Sequence, residues 1–488
     1  MPNTNQPNVE TKTAKMTVTQ LVLMIAAAVT SLRGVPIMSQ EELTMFIYLI
    51  FAAVLFLIPA ALVSAELGTT YANEGGGIYT WVKEAYSKRT GFIAVFLQWI
   101  QNVVWYPTTL AFGAAAISYI INKPELATDG KFIGTFSIVI YWISTWISLK
   151  KTSVVSKISS AGFLYGTIIP LVTLIVIACI WATNGNPIAF NHIPASEIEI
   201  VATIDEVTKP RFIPHLTKLN NIVFLSTIVL LFAGIEALAV HASELKNPKK
   251  DYPNAMFIAS VLSFLILGLG ALAVSVILPY EKITLQAGVM ETFRMFFTHY
   301  NFNWLTNILG ILVVIGCASC IISWMTGPSK ALLFTARDGE LPKFLTVVNK
   351  NGIQKNILLV QAVIVTILCS VYFVIDDVSV AFFLLSSLNA TLYLMMYMMM
   401  YMSCIRLRKI KPDYPRPFKI PGNLNGLRVF AGTGFAAVTL AFILSFIPPS
   451  QLPISNPKHY VAFITIATML FLAVPFLISY FINKSKKS

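Results

Sequence analysis

Residues 23–36 read LMIAAAVTSLRGVP, and this stretch decides how the rest of the sequence is interpreted. It begins as an apolar helix, but Thr30, Ser31, Arg33, Gly34 and Pro36 then occupy positions where a membrane-spanning helix normally carries leucine or isoleucine. Glycine and proline weaken a helix, and the backbone groups that they free are tolerated within a membrane only where they line a cavity. We therefore predict an interrupted transmembrane helix that contributes to a binding site.

The composition is that of a membrane protein. The chain of 488 residues is 56% hydrophobic and 12% charged, whereas soluble domains carry about 25% charged residues. Its net charge of +13 comes from basic residues beside apolar runs, as at 406–409. That placement is typical of cytoplasmic loops rather than of a nucleic-acid-binding surface. We expect the lipid bilayer to surround the protein and no nucleic acid to bind it.

Twelve apolar runs are each long enough to cross a bilayer. They lie near 17–38, 45–66, 92–121, 131–149, 158–182, 219–241, 256–279, 304–328, 355–375, 378–403, 427–447 and 460–483. Most of the 35 lysine and arginine residues fall in the segments that share a side with the N-terminus. By the positive-inside rule, both termini are cytoplasmic. The predicted fold is an all-α integral membrane protein of twelve transmembrane helices in the inner or plasma membrane.

The order of the spans predicts two halves of opposite topology. Span six enters the membrane from outside while span one enters from inside, which is the signature of an inverted repeat. The predicted units are an N-terminal cytoplasmic tail (1–16), a first five-helix repeat (17–182), an extracytoplasmic loop (183–218), a second five-helix repeat (219–403), a cytoplasmic loop (404–426), peripheral helices 11 and 12 (427–483) and a basic cytoplasmic tail (484–488).

Span six carries a second polar interruption, because Gly234 and Glu236 occupy its middle. An ionisable residue inside a membrane indicates a functional site by default. For Glu236 the alternative is a structural role, in which hydrogen bonds tie the broken helix to its neighbours. For Arg33 the functional role is contact with the substrate or gating. The alternative is structural: its side chain extends to the outer surface or forms an ion pair with an acid. For each residue the functional and the structural role both remain open.

Two interrupted helices together are suited to an amino acid. Free N–H groups at a half-helix N-terminus attract a carboxylate, while unwound carbonyl groups accept hydrogen bonds from an ammonium. Aromatic and polar residues of spans three and ten are candidate walls, with helix packing as their alternative. The predicted substrate-binding residues are Thr30, Ser31, Arg33, Gly34, Trp105, Tyr106, Phe232, Ala233, Gly234, Glu236, Asn389 and Tyr393.

Other chemistry has little support in the sequence. There is no phosphate-binding loop, no HExxH motif and no ordered Ser/His/Asp arrangement. Cys317 and Cys320 have CxxC spacing, but they lie within an apolar span, where small residues pack between helices. We therefore expect no catalytic residue, no cofactor and no metal site, and we predict that the protein is not an enzyme.

Five groups of motifs resemble the amino acid–polyamine–organocation (APC) superfamily over nearly the whole chain. They are PAALVSAEL at 59–67 with EGGGIYTWV at 74–82, FAGIE at 232–236, SELKNPKKDYP at 243–253, GPSK at 327–330 with TARDGELP at 335–342, and RPFKIPG at 416–422. Within it, LQAGVM at 285–290 and SWMTGPS at 323–329 resemble the bacterial glutamate/γ-aminobutyrate antiporter family. The resemblance implies a LeuT-like fold of 5 + 5 inverted repeats, with discontinuous helices 1 and 6 and two peripheral helices.

The resemblance also implies a secondary transporter that works by alternating access. Exchange of an amino acid for a related amino acid or amine is the expected activity, and proton- or sodium-coupled uptake without exchange is the alternative. Two positions depart from the glutamate antiporter: Cys320 replaces an acidic residue, and Arg33-Gly34 replaces aromatic and acidic residues before the proline of span one. These departures argue against carrying over glutamate/γ-aminobutyrate exchange.

Overall fold

The computed structural model describes residues 17–72, 74, 76–150, 152–189, 212–213, 219–237, 245–279, 282–450, 452, 454 and 456–485. Within these ranges the chain is helical and forms no β-strand. A chain of apolar segments favours helices in a membrane, because a helix pairs its own N–H and C=O groups where no water can do so. The predicted N-terminal tail and most of the 183–218 loop lie outside the described residues.

We number the α-helices in chain order. The first nine are α1 Val18–Val29, α2 Val35–Ser39, α3 Met45–Phe51, α4 Ile58–Thr70, α5 Ile78–Ala85, α6 Lys88–Ile120, α7 Gly130–Ser148, α8 Thr152–Phe163 and α9 Ile169–Thr183. Helix α3 continues into α4 through a π-helical turn at Ala52–Leu57, and α8 continues into α9 through another at Leu164–Ile168. The remaining nine are α10 Phe224–Leu230, α11 Pro248–Ile277, α12 Gly288–His299, α13 Trp304–Arg337, α14 Lys355–Cys369, α15 Val371–Val374, α16 Val378–Ile410, α17 Asn423–Leu444 and α18 Pro457–Ser485.

Nine helical segments of the described chain are long and apolar enough to cross a membrane. They coincide with nine of the twelve predicted spans: 2, 3, 5 and 7 to 12. Span four is the continuous helix α7, whereas spans one and six are broken. Helix α13, which contains span eight, continues beyond residue 328 to Arg337. The sequence pattern also missed α5 and α12, which are short helices between spans.

Helices α6 and α16 form the centre of the bundle. They are the most buried of the long apolar helices, whereas α18 is the most exposed. Helix α6 packs against both α13 and α16, and α1 packs against α11. Large apolar side chains such as Trp146, Phe257 and Ile466 are exposed on the outer surface, which is the surface expected of a protein that faces lipid. The two central helices thus pass beside both interrupted spans.

A buried ionic cluster connects α4, α16 and the segment before α17. Glu66 accepts hydrogen bonds from Nε of Arg408 at 3.0 Å, from Nη2 of the same residue and from the backbone N–H of Ile420 at 2.9 Å. Nε of Arg416 lies 3.4 Å from the same carboxylate. The Glu66 and Arg408 side chains are 2% and 4% exposed. Removal of one partner would therefore leave buried charge without compensation.

We expect Glu66→Gln to lower the melting temperature of the detergent-purified protein clearly, because breaking a buried ion pair costs about 3–5 kcal/mol. The matched control is Glu84→Gln, which removes a 2.6 Å pair with Lys411 whose side chains are 27% and 33% exposed. Exposed pairs contribute about 0–1 kcal/mol. Thermal unfolding of the two variants checks this, and equal shifts would contradict a structural role for the buried cluster.

Candidate functional site

The first predicted span is interrupted where its sequence indicated. Helix α1 ends at Val29, Thr30 and Ser31 have extended backbone, and a 3-10 turn at Leu32–Gly34 leads into α2. Pro36 lies in the first turn of α2, where its missing N–H costs no helical hydrogen bond. The Thr30 hydroxyl donates to the Ser263 hydroxyl of α11 at 3.3 Å. The predicted interruption is confirmed.

The sixth predicted span is broken in the same manner. Helix α10 ends at Leu230, and the chain then turns through Gly234 before a 3-10 turn at 235–237. Gly234 has φ = 109°, a conformation that residues with a Cβ rarely adopt. Glycine is therefore required at this break, while Phe232 packs against Phe264 of α11. Residues 238–244 lie outside the described part of the chain.

The two breaks touch each other. A Cβ added to Gly34 would lie 2.2 Å from Cδ2 of Leu231, well inside van der Waals contact. The absence of a side chain at Gly34 leaves room for the Leu231 side chain to pack against the first break. Ala233 and Phe232 are also buried beside it, at 7% and 0% exposure.

Arg33 is buried between helices and does not extend to the surface. Its side chain projects from the first break, and the residue is 6% exposed. Nη1 donates to the Thr108 hydroxyl of α6 at 3.1 Å and to the Ser386 hydroxyl of α16 at 3.3 Å. The guanidinium carbon lies 5.8 Å from the ring centre of Trp105 and 5.6 Å from that of Phe382. Arg33 therefore connects the first break to both central helices.

No carboxylate pairs with Arg33 among the residues that the structure describes. Its Nε is buried and has no hydrogen-bond partner. The titratable groups that face it are Cys317, Cys320 and Tyr372. Within the described residues, Arg33 therefore forms no structural ion pair with an acid. The predicted packing of both cysteines in α13 agrees with their state as free thiols.

Glu236 is held by donors from three elements. It accepts from Nε2 of Gln98 at 3.1 Å, from the hydroxyl of Tyr393 at 2.6 Å and from the hydroxyl of Tyr397. The backbone N–H of Gly234 adds a fourth contact at 3.2 Å. Hydrogen bonds from several donors fix the position of the carboxylate. Glu236 thus joins the second break to α6 and α16.

One face of α16 connects the two charged groups. Phe382, Ser386, Asn389, Tyr393 and Tyr397 recur at intervals of three or four residues, the spacing of one helix face. Phe382 and Ser386 contact Arg33, while the two tyrosines contact Glu236. Asn389 lies between them at 6% exposure, and its Oδ1 has no hydrogen-bond partner.

Most of the candidate residues therefore fall around two charged centres. Trp105 lies between Arg33 and Trp324 of α13, with 6.4 Å between the two indole centres. Tyr106 packs instead against Tyr141 of α7, at 5.2 Å between ring centres. The sequence analysis missed Gln98, Thr108, Phe382, Ser386 and Tyr397. The α16 residues among these share the face of Asn389 and Tyr393, so extending that spacing in both directions would have found them.

The arrangement leaves one donor and one acceptor without a hydrogen-bond partner among the described residues, Nε of Arg33 and Oδ1 of Asn389. The Glu236 carboxylate, at the other end of the α16 face, is already bound by protein donors. Within the described residues, no group of three or more His, Cys, Asp or Glu side chains is placed to hold a metal ion.

Comparison with known proteins gives one consistent result. The family model described as amino acid permease matches residues 14–471. An uncharacterised transporter of Legionella pneumophila is 38% identical over 462 residues, which cover 95% of this chain and 96% of that protein. The glutamate/gamma-aminobutyrate antiporter of Lactococcus lactis subsp. cremoris is 31% identical over 460 residues, 93% of this chain and 88% of that protein.

A more distant relative is named for a different pair of substrates. The probable agmatine/putrescine antiporter of Lactococcus lactis subsp. lactis is 24% identical over 413 residues, which cover 83% of this chain and 82% of that protein. The chain is thus similar along most of its length to membrane transporters, including antiporters, and it is not an enzyme.

We expect Tyr397→Phe to destabilise the purified protein, because it removes a hydrogen bond to the buried Glu236 carboxylate. Hydrogen bonds to charged groups contribute about 1.5–3 kcal/mol. The control is Tyr401→Phe, one turn further along α16, whose hydroxyl makes only a 3.5 Å contact with the Phe56 carbonyl. Thermal unfolding in detergent compares the two. Equal melting temperatures would show that the Glu236 cluster does not stabilise the broken helix.

Proposed function

Since the chain belongs to the amino acid permease family, we propose that it is a secondary active antiporter, which exchanges an amino acid for a related amino acid or amine by alternating access. The observation that carries this proposal is the contact between two interrupted helices, with Arg33 beside one break and Glu236 beside the other. Such breaks are found where transporters bind substrates near the middle of the membrane. The two antiporters among the relatives support exchange.

The proposed architecture has twelve transmembrane helices in a LeuT-like arrangement of two inverted five-helix repeats, with α17 and α18 at the periphery. Nine long apolar helices within the described residues support it, together with the breaks in the first and the sixth span. The high exposure of α18 supports its peripheral place. We place the protein in the inner membrane, with both termini in the cytoplasm, from the distribution of its basic residues.

The proposed binding site combines backbone groups and side chains. Backbone groups of Thr30, Ser31 and Gly34 at the first break, with those of Ala233 and Gly234 at the second, contact the α-amino and α-carboxyl groups. Side chains add further contacts to the charged groups and surround the rest of the molecule. They are Arg33, Trp105, Phe232, Glu236, Asn389 and Tyr393, with Tyr106 packed behind Trp105.

The alternative is uptake driven by a proton or sodium gradient without exchange. Flux in reconstituted vesicles separates the two mechanisms. In an antiporter, efflux of a labelled amino acid accelerates when an unlabelled countersubstrate is added outside, because the carrier returns only when it is loaded.

We expect this acceleration to persist when ionophores collapse the proton and sodium gradients. The measurement is efflux from vesicles preloaded with labelled amino acids, with protein-free vesicles as the control. An efflux rate that does not change with the external amino acid but changes with the ion gradient would favour coupled uptake. The absence of saturable flux for every amino acid would contradict transport of this substrate class.

We expect Gly34→Ala to slow exchange several-fold, because the new Cβ would overlap Leu231 at the contact between the breaks. Overpacking costs about 1–3 kcal/mol. The matched control is Gly432→Ala in α17, where an added Cβ meets nothing within 4 Å. Initial exchange rates per reconstituted protein are compared. If both variants exchange at the wild-type rate, the contact between the breaks is not part of the transport site.

A further inference from the structure

We propose that Arg33 is the counter-ion for a carboxylate of the transported molecule, so that both exchanged substrates carry a carboxylate and amines without one are rejected. The inference rests on the proposed function and narrows its substrate class. It is carried by the state of the guanidinium, which is 94% buried within the described structure but lacks an anionic partner.

The hydrogen bonds of Arg33 are incomplete. A guanidinium has five N–H donors, yet the contacts of Arg33 with side-chain acceptors both come from Nη1, and Nε has none. The acceptors are neutral hydroxyl groups of Thr108 and Ser386. Thr108 also donates its own hydrogen to the Trp105 carbonyl at 2.7 Å, so this hydroxyl is oriented as an acceptor toward Arg33.

Neutral neighbours compensate a buried charge only in part. Burial of an ion costs several kcal/mol even after relaxation, and cation–π contacts recover about 0.5–2 kcal/mol each. The two rings near Arg33 lie at the far end of the useful range, at 5.6 Å and 5.8 Å. A purely structural arginine would have its donors satisfied by protein acceptors. The free donors of Arg33 instead match a carboxylate, which accepts two parallel N–H bonds.

Glu236 is not this missing anion. Its carboxylate is occupied by Gln98, Tyr393, Tyr397 and Gly234. Along α16, Ser386 at the Arg33 end and Tyr393 at the Glu236 end are seven residues apart, which is about 10 Å of helix. The two charges therefore belong to separate centres.

The part of the α16 face between the Arg33 and Glu236 centres indicates how a substrate would be oriented. Asn389 lies there with a buried, unpartnered Oδ1, an acceptor suited to an ammonium group. A substrate carboxylate at Arg33 and its ammonium near Asn389 satisfy both free groups at once. A diamine would place a cation against the Arg33 guanidinium, and like charges repel strongly where water is excluded.

Two carboxylates could occupy the Arg33 position, the α-carboxylate or one on the substrate side chain. Binding to the purified wild type and to Arg33→Gln, measured by calorimetry, distinguishes them. The ligands are glutamate with glutamine, leucine with leucinamide, and agmatine with putrescine. Arg33→Lys keeps the charge, and Arg428→Gln, at an exposed arginine of α17, is the control.

We expect the wild type to bind carboxylate ligands and neither agmatine nor putrescine. Arg33→Gln should weaken the binding of the carboxylate ligands at least tenfold, which equals about 1.4 kcal/mol. Arg33→Lys should retain part of the affinity, and Arg428→Gln should bind these ligands as the wild type does. If the side-chain carboxylate faces Arg33, the variant loses the preference for glutamate over glutamine. If the α-carboxylate faces Arg33 instead, the Arg33→Gln variant loses the preference for leucine over leucinamide.

Three results would overturn the proposal. Unchanged carboxylate affinity in Arg33→Gln excludes Arg33 as the counter-ion, and binding of agmatine as tight as that of an amino acid excludes the rejection of diamines. In both cases the proposed function stands if amino acids are still exchanged. If neither wild type nor variant binds or exchanges any amino acid, the proposed function fails and the role of Arg33 fails with it. Should Arg33→Gln not fold, Arg33→Lys is compared with the wild type instead: a partial loss of carboxylate affinity is expected, and an affinity unchanged for every carboxylate ligand together with tight binding of agmatine would overturn the proposal.

Discussion

The buried charge of Arg33 is the constraint on which the rest of the site depends. A cation at 6% exposure is costly unless an anion or water compensates it, and here two hydroxyl groups and two aromatic rings supply only partial compensation. The helix break at Leu32–Gly34 places the guanidinium between α6 and α16. An otherwise unfavourable residue is thus held where a ligand of opposite charge would complete its bonding.

The second break carries a group of opposite charge, the Glu236 carboxylate, whose surroundings differ from those of Arg33. Glu236 is compensated by protein donors alone, so its carboxylate stabilises the irregular backbone at Gly234 without a ligand. The structural alternative and the functional one are compatible for this residue, because the same cluster ties the broken helix to α6 and α16. Any motion that opens the second break has to disturb these hydrogen bonds. That coupling is a physical route by which the site and the conformation of the bundle influence each other.

The sequence predicted the elements whose signals are local. Apolar runs of sufficient length predicted the nine long helices of the described residues and the continuous α7. The first break was predicted from a cluster of polar and helix-weakening residues, Thr30, Ser31, Arg33, Gly34 and Pro36. The partners of the two charged residues could not be predicted, because which faces of α6 and α16 meet depends on helix rotation and tilt. Thr108 and Gln98 are ordinary polar residues in an apolar helix until the neighbouring charge is known. Tyr106 shows the converse, since its position beside Trp105 suggested a pocket wall while its ring packs against α7.

The two interrupted helices and Arg33 together form the proposed amino-acid site. The most direct test is an experimental structure of the protein with a transported amino acid bound. We expect the substrate between the two breaks, with a carboxylate within hydrogen-bond distance of the Arg33 guanidinium and the ammonium on the side of Asn389. An amino acid bound elsewhere, with Arg33 paired to a carboxylate of the protein, would contradict it.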